Sequence, residues 1–102
     1  KMNFLTDRFA ANFDCTTLGI RPEHINMTTA TDAVWQGKVI HAEDLGSDHY
    51  LFVDIGSSEP LIVRQNGKLS GSIGDALALR PITEHLHRFG ADSRPIGKVA
   101  TV

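Results

Sequence analysis

Residues 34–55 read VWQGKVIHAE, then DLGSDH, then YLFVDI, and the fold is decided by how this stretch is read. In the first run Trp35, Gly37, Val39 and His41 fall at every second position, which on an extended chain puts them on one face. In the last run Leu51, Val53 and Ile55 take one face and Tyr50, Phe52 and Asp54 the other. Alternation with period two is the signature of a half-buried strand. The loop Asp44-Leu45-Gly46-Ser47-Asp48 between the runs has about hairpin length, so Val34–Glu43 and Tyr50–Ile55 are expected to pair antiparallel. Gly37 inside the first run suggests a bulge or bend.

The same signals extend outward. Upstream, Leu18, Ile20 and Pro22 alternate with Gly19, Arg21 and Glu23, a short strand stopped by Pro22. Thr28–Asp32 is a polar connector. Downstream, Gly56–Pro60 is a turn, Leu61–Gln65 a strand, and Asn66-Gly67 a turn dipeptide. Leu69–Asp75 is Gly/Ser-rich and reads as a mobile loop. Ala76–Arg80 puts Leu77 and Leu79 on one face, Pro81–Glu84 opens one helical turn, and His85–Phe89 is a last strand. From Gly90 onward the chain is polar and is expected to fray. Five or six short strands with little helix predict an all-β protein, a small antiparallel barrel or sandwich. Leu51, Val53, Leu61, Val63, Leu77 and Leu79 are expected among the most buried positions.

At 102 residues the chain has the size of one domain, and 41% hydrophobic with 22% charged residues is ordinary for a globular core. A formal net charge of −2 excludes a strongly basic surface gripping nucleic acid through many phosphates. The longest apolar runs, Tyr50–Val53 and Ala76–Leu79, fall far short of the ~20 residues of a membrane-spanning helix. The one cysteine, Cys15, has no partner for an internal disulfide, which fits a reducing compartment. The amino terminus lacks the apolar stretch of a signal peptide. Methionine stands second, so the chain reads as a fragment or a processed product.

Motifs for chemistry are sparse. Gly67-Lys68 is followed by Leu69 where a phosphate loop needs a hydroxyl, and Gly71-Ser72-Ile73-Gly74 has no lysine. His24, His41, His49, His85 and His87 are the conspicuous titratable groups. His85-x-His87 on one strand face would supply two zinc ligands, but a surface or loop reading suits them better. Ser57 and Ser58 have no base placed by spacing. No catalytic, cofactor-binding or metal-binding residue is expected. Arg21 and Glu23, either side of the rigid Pro22, are candidate interaction residues or else a solvated turn with a weak ion pair. Trp35 suits a core or an interface, and Tyr50 and Phe52 face away from Leu51 and Val53, so all three are candidate interaction anchors.

Several pieces, in this order, resemble one family. Lys1-Met2-Asn3-Phe4-Leu5 resembles the segment leaving the ATPase core of sugar-importing ABC transporter ATP-binding subunits. LGIRPEH, residues 18–24, resembles the hallmark of their carboxy-terminal regulatory region, the TOBE domain. GKVIHAEDLGSDHYLFV, residues 37–53, resembles its hairpin. Gly74-Asp75 followed by ALALRP resembles its "G-D-x-ϕ-x-ϕ-x-P" strand, and Leu86-His87-Arg88-Phe89 its closing "ϕ-H-ϕ-F". Most of residues 1–5 and 18–97 is covered, and LGIRPEH is the most specific piece.

The resemblance implies a partly open, OB-like barrel. Residues 1–17 would be a connector from an ATPase core, 18–97 the regulatory domain and 98–102 a tail. ATP and magnesium would belong to that core, since none of the family's nucleotide-binding motifs lies in this chain. The parent subunit would sit peripherally on the cytoplasmic face of the bacterial inner membrane, the fragment itself being soluble. It would power import of sugars, polyols or glycerol-3-phosphate, work as a homodimer steadied by this domain, and meet the membrane subunits through its ATPase core. In some relatives the domain docks a signalling protein that inhibits uptake. Two departures stand out. The interval between Leu5 and Leu18 is short where relatives carry more strands, so the barrel is expected to be incomplete on its N-terminal side. The tail from Phe89 to Arg94 lacks the usual "F-D-x-x-T-G" turn. The alternative function is a free-standing small-solute or oxyanion-binding barrel, and an OB-type nucleic-acid binder is disfavoured by ten basic residues against twelve acidic ones.

Overall fold

The structure is a computed structural model and describes residues 2–66 and 72–96. In chain order its elements are β1 (Asn3–Leu5), the short helix α1 (Asp7–Ala11), β2 (Thr17–Ile20), a 3₁₀ turn at Pro22–His24, β3 (Ile25–Met27), β4 (Trp35–Asp44), β5 (Asp48–Asp54), β6 (Leu61–Asn66), β7 (Ala76–Pro81), a 3₁₀ turn at Thr83–His85, β8 (His87–Phe89) and β9 (Pro95–Ile96). Every pairing is antiparallel. One sheet runs β3-β7-β4-β5-β6 and curls into a nearly closed barrel, and a second runs β1-β2-β8-β9. Between the barrel's edge strands, Gln65 Nε2 on β6 donates to Met27 Sδ on β3 at 3.2 Å. This is a small antiparallel barrel, one of the two forms the alternation predicts, and it is OB-like as the resemblance implies.

The hairpin forms as read. Leu51 pairs with Ala42 on one side and Val63 on the other, and Val53 with Val39 and Leu61. These rows point inward and join Leu18, Ile20, Leu79 and Trp35 in one hydrophobic core. Leu18, Leu51, Leu61 and Leu79 are fully buried, each contributing about 1.5–3 kcal/mol relative to exposure. Gly46 closes the hairpin at φ 87°, with its N–H donating to Asp44 Oδ1 at 3.0 Å. A left-handed residue there suits glycine and few others.

Five expectations need correction. The irregularity of β4 is not at Gly37: the register with β5 slips between Val39 and His41, leaving Ile40 as the extra residue. Beyond it the inward positions shift by one, so Ala42 packs on the core and His41 lies exposed. Gly37 has another cause, because a Cβ there would collide with the backbone carbonyl of Asp54. Leu77 is half-buried rather than central, its cross-strand partner being Gly37, which has no side chain to cover it. His85 lies in a 3₁₀ turn and His87 begins β8, so the two do not share a strand face. Past Gly90 the chain makes a further strand: Phe89 pairs with Pro95 and Arg88 with Ile96, across a turn tied by Gly90 N–H to Arg94 O at 2.9 Å. The expected turn at Gly67, the start of the loop from Leu69 and the tail 98–102 lie outside the described residues.

The segment between Leu5 and Leu18 is filled by α1, whose Ala10 is fully buried against the core. Ahead of it, β1 pairs with β2, and its Asn3 does something no pattern announced. The Asn3 side chain is buried at 6% exposure and 59 residues from its partner. Its Nδ2 donates to Ile62 O and its Oδ1 accepts from Ile62 N–H, both at 2.8 Å. A side-chain amide can present one of its N–H donors beside its carbonyl acceptor, as a strand's edge does. Asn3 therefore stands in for a neighbouring strand at the free edge of β6 and ties the two sheets together.

Two outcomes follow from this packing. Asn3→Ala leaves the Ile62 N–H and C=O without partners in a part-buried place, and should lower stability by about 1–3 kcal/mol. In urea the midpoint falls while the slope holds; an unchanged midpoint would refute the clamp. The second concerns Cys15, half-buried, with its thiol donating to Ala10 O at 3.4 Å. Burial pushes this thiol above its ordinary range, outweighing the lowering pull of the Phe89 backbone and of Arg88. The raised pKa favours the neutral thiol in the fold, so this contribution to stability is full below the unfolded-state pKa and is lost as pH rises through the folded one. Iodoacetamide at pH 8.5 should modify folded Cys15 more slowly than glutathione, with urea abolishing the difference.

Candidate functional site

The pleat that buries Leu51 and Val53 must turn Tyr50 and Phe52 outward. Cross-strand register then builds two outer rows over β4, β5 and β6. Glu43, Tyr50 and Arg64 form one; His41, Phe52 and Ile62 form the other. His41 meets Phe52 edge-on with ring centroids 5.0 Å apart. The 3₁₀ turn of LGIRPEH packs against β6. Pro22 begins that turn because its fixed φ suits the first helical position, and its burial holds Glu23 beside the outer rows.

The result is a groove of about 490 Å³ whose apolar floor is Leu45, Tyr50, Phe52 and Ile62 and whose walls include Glu23 and Glu43. Phe52 and Ile62 also line an adjoining cavity of about 160 Å³ that runs on to Phe4, Glu59 and Pro60. Two large apolar side chains stand open along this trough, Leu45 at 66% exposure and Phe4 at 56%. No described residue lining either cavity is basic. Arg64, the cross-strand neighbour of Tyr50, is engaged elsewhere: its Nη2 lies 2.8 Å from Asp48 Oδ1. That hydrogen bond first, and the charges of Asp48 and Glu23 after it, push the guanidinium above its ordinary value.

Of the expected interaction residues, Glu23, Tyr50 and Phe52 thus come together, from segments 27 and more residues apart. Arg21 is exposed next to the turn and does not line the groove; its carbonyl accepts from His24 N–H at 3.0 Å. Leu45 and Ile62 were missed. Leu45 sat in what read as a loop, and Ile62 in a strand whose outward face the sequence left without a neighbour. The histidines do not converge on a metal-like arrangement. His24 and His85 stack face to face with centroids 3.9 Å apart, and His49 is buried with Nδ1 3.2 Å from Asp44 Oδ1. Among the described residues no three His, Cys, Asp or Glu side chains group as metal ligands would. Ser57 Oγ donates to Glu59 O at 2.6 Å, a turn contact with no base beside it.

Residues 18–89 match the family model described as the TOBE domain. The chain is also similar to the sn-glycerol-3-phosphate import ATP-binding protein UgpC of Cupriavidus pinatubonensis, 37% identical over 76 residues, covering 74% of this chain and 20% of the relative. With the maltose/maltodextrin import ATP-binding protein MalK of Vibrio parahaemolyticus it is 34% identical over 82 residues, covering 79% of this chain and 22% of the relative. The chain therefore spans about a fifth of the length of the curated relatives it matches.

Trp35 is not part of the groove. It is 4% exposed, pairs with Leu79 across β4 and β7, and belongs to the core. As an interaction anchor it is corrected: the inward face of β4 ahead of the bulge carries it, and its ring fills the barrel. It is the chain's only tryptophan, so fluorescence reads this placement directly. Native emission should be blue-shifted and several-fold less quenched by iodide than in urea; strong quenching of the native protein would put Trp35 on the surface.

Proposed function

The chain belongs to the TOBE domain family, and on that premise we propose that it is the regulatory and dimer-stabilising C-terminal domain of the ATP-binding subunit of an ABC importer for sugars, polyols or glycerol-3-phosphate. The observation carrying this reading is the match of residues 18–89, together with relatives named as import ATP-binding proteins. The parent chain would hold the ATPase, with its ATP and magnesium, in a core outside these 102 residues. It would sit on the cytoplasmic face of the membrane, bound to the transporter's membrane subunits through that core. Among the described residues no helix is long and apolar enough to cross a membrane.

The physical case for a tether is kinetic and entropic. An ABC ATPase opens its nucleotide sites in each cycle, when contacts between the ATPase halves are lost. A second, steady contact keeps the partner near at high effective concentration, so closing again is close to an intramolecular step. A small barrel with a rigid core suits this, because it presents fixed side chains at low cost in ordering. Tyr50 and Phe52 are its proposed interaction residues, aromatic anchors on a rigid strand. The rival reading, an oxyanion-binding barrel, is disfavoured by Glu23 and Glu43 beside the groove, since a carboxylate repels an anion.

The test is sedimentation of the full-length subunit, free of nucleotide, with and without residues 18–97. The intact subunit should run as a dimer and the truncated one as a monomer. Unchanged dimerisation after truncation would remove the tether from this domain.

A further inference from the structure

Among the described residues the chain passes between the small sheet and the barrel twice, from β2 to β3 and from β7 to β8. Each crossing is a single 3₁₀ turn, Pro22–His24 in the first and Thr83–His85 in the second. Both turns end on a histidine, and the two rings lie on one another, with centroids 3.9 Å apart and planes 17° from parallel. One backbone bond backs the stack: Ile82 N–H donates to His24 O at 2.8 Å. We propose that this histidine pair is a proton-sensitive joint, which holds the small sheet to the barrel while the rings are neutral and loosens as they take up protons. The joint lies wholly within this chain and works in the same way whatever the parent protein does.

Two costs oppose the charged form. Flat neutral rings gain from stacking, but two imidazolium ions at this separation repel, and the half-buried setting of His24 screens them less than open water would. Both nitrogens of an imidazolium are donors. His24 Nδ1 is buried without a hydrogen-bond partner, so charging that ring places a cationic N–H where nothing accepts it.

The surroundings supply no counter-charge at close range. The first turn carries Glu23, follows Arg21 and packs on β6, whose charged residue is Arg64. The strand after it, β3, has none. The second turn carries Glu84, with Arg80 before it on β7 and His87 and Arg88 after it on β8. Among the described residues no carboxylate, Glu23 and Glu84 included, lies within ion-pair distance of either ring. Arg64 is engaged with Asp48, and Arg80 Nη1 donates to Asp32 O. The unfolded chain takes both protons without these costs, so it binds more protons than the folded chain as the imidazoles charge. Stability therefore rises with pH through that range, and is full at neutral pH and lost as pH falls through ~6.5.

The experiment compares the wild-type protein with His24→Phe, which keeps an aromatic ring against His85, keeps the backbone acceptor for Ile82 and removes the buried proton site. Urea unfolding is followed by Trp35 fluorescence at about pH 7.5 and about pH 5, either side of a free imidazole's range. On going to the lower pH the unfolding equilibrium constant should rise at least fivefold more in the wild type than in the variant. His24→Gln, which also takes no proton, gives the same comparison where the phenylalanine variant does not fold. An equal rise in wild type and variant would overturn the proposal. Hydrogen exchange at the Ile82 amide shows where the change lies. Relative to the intrinsic rate at each pH, it should speed at least fivefold at the lower pH in the wild type. It should also be insensitive to urea below the unfolding transition, the mark of a local opening. If Ile82 instead follows urea as the amides of β5 do, the joint has no opening of its own and the proposal fails.

Discussion

The pleat of β5 constrains everything around it. Seven residues in extended conformation must send alternate side chains to opposite sides, and with β4 and β6 paired on both edges no rotation can relieve the choice. One side receives Leu51 and Val53 and becomes the centre of the core. The other receives Tyr50 and Phe52 and becomes the floor of a groove. The same backbone hydrogen bonds hold both surfaces, so the groove is as rigid as the barrel beneath it. A binding surface on such a platform spends little in ordering its own side chains.

The platform is finished by parts remote in sequence. The turn at Pro22–His24 lies on β6 and delivers Glu23, while Asn3 satisfies the outer edge of Ile62 and carries β1 with it. An open strand edge invites pairing with other chains. Here one amide side chain closes part of it, and in doing so joins the small four-stranded sheet to the barrel. Ile62 is thus held from one side by Phe52 through the strand register and from the other by Asn3, which fixes the middle of the trough.

Much of this was legible in the sequence. The hairpin, the strands from Leu61 and Ala76, and the burial of Leu51, Val53, Leu61, Val63 and Leu79 follow from alternation, a local property. The separation of Tyr50 and Phe52 from the core follows from the same pattern. What could not be read depends on contacts across the chain. Trp35 suited a core better than an interface, but its aromatic ring fits both, and its pairing with Leu79 decides. The clamp by Asn3 reaches 59 residues along the chain and leaves no periodic trace. The polar stretch after Gly90 carries too few apolar residues to announce β9, which forms because β8 already offers it an edge. Glu43 and Glu23 were visible as charges, but that they border one apolar trough is a property of the closed barrel.

The extra residue at Ile40 sits two residues past the point where β4 changes partners. From Trp35 to Lys38 the strand pairs with β7, and from Lys38 onward with β5. Before the bulge odd-numbered residues point inward; after it the even-numbered Ala42 does. The bulge is therefore a parity switch. Without it, Glu43 would be driven into the core and Ala42 onto the surface, with every side chain between Ile40 and the hairpin turn exchanged. One unpaired residue lets β4 turn Val39 and then Ala42 inward against the same neighbour, β5, and it is the reason a carboxylate stands at the groove at all. A change of length at this point would be far graver than a change of side chain: removing one residue inverts the face, whereas Ile40 itself, half exposed, tolerates replacement.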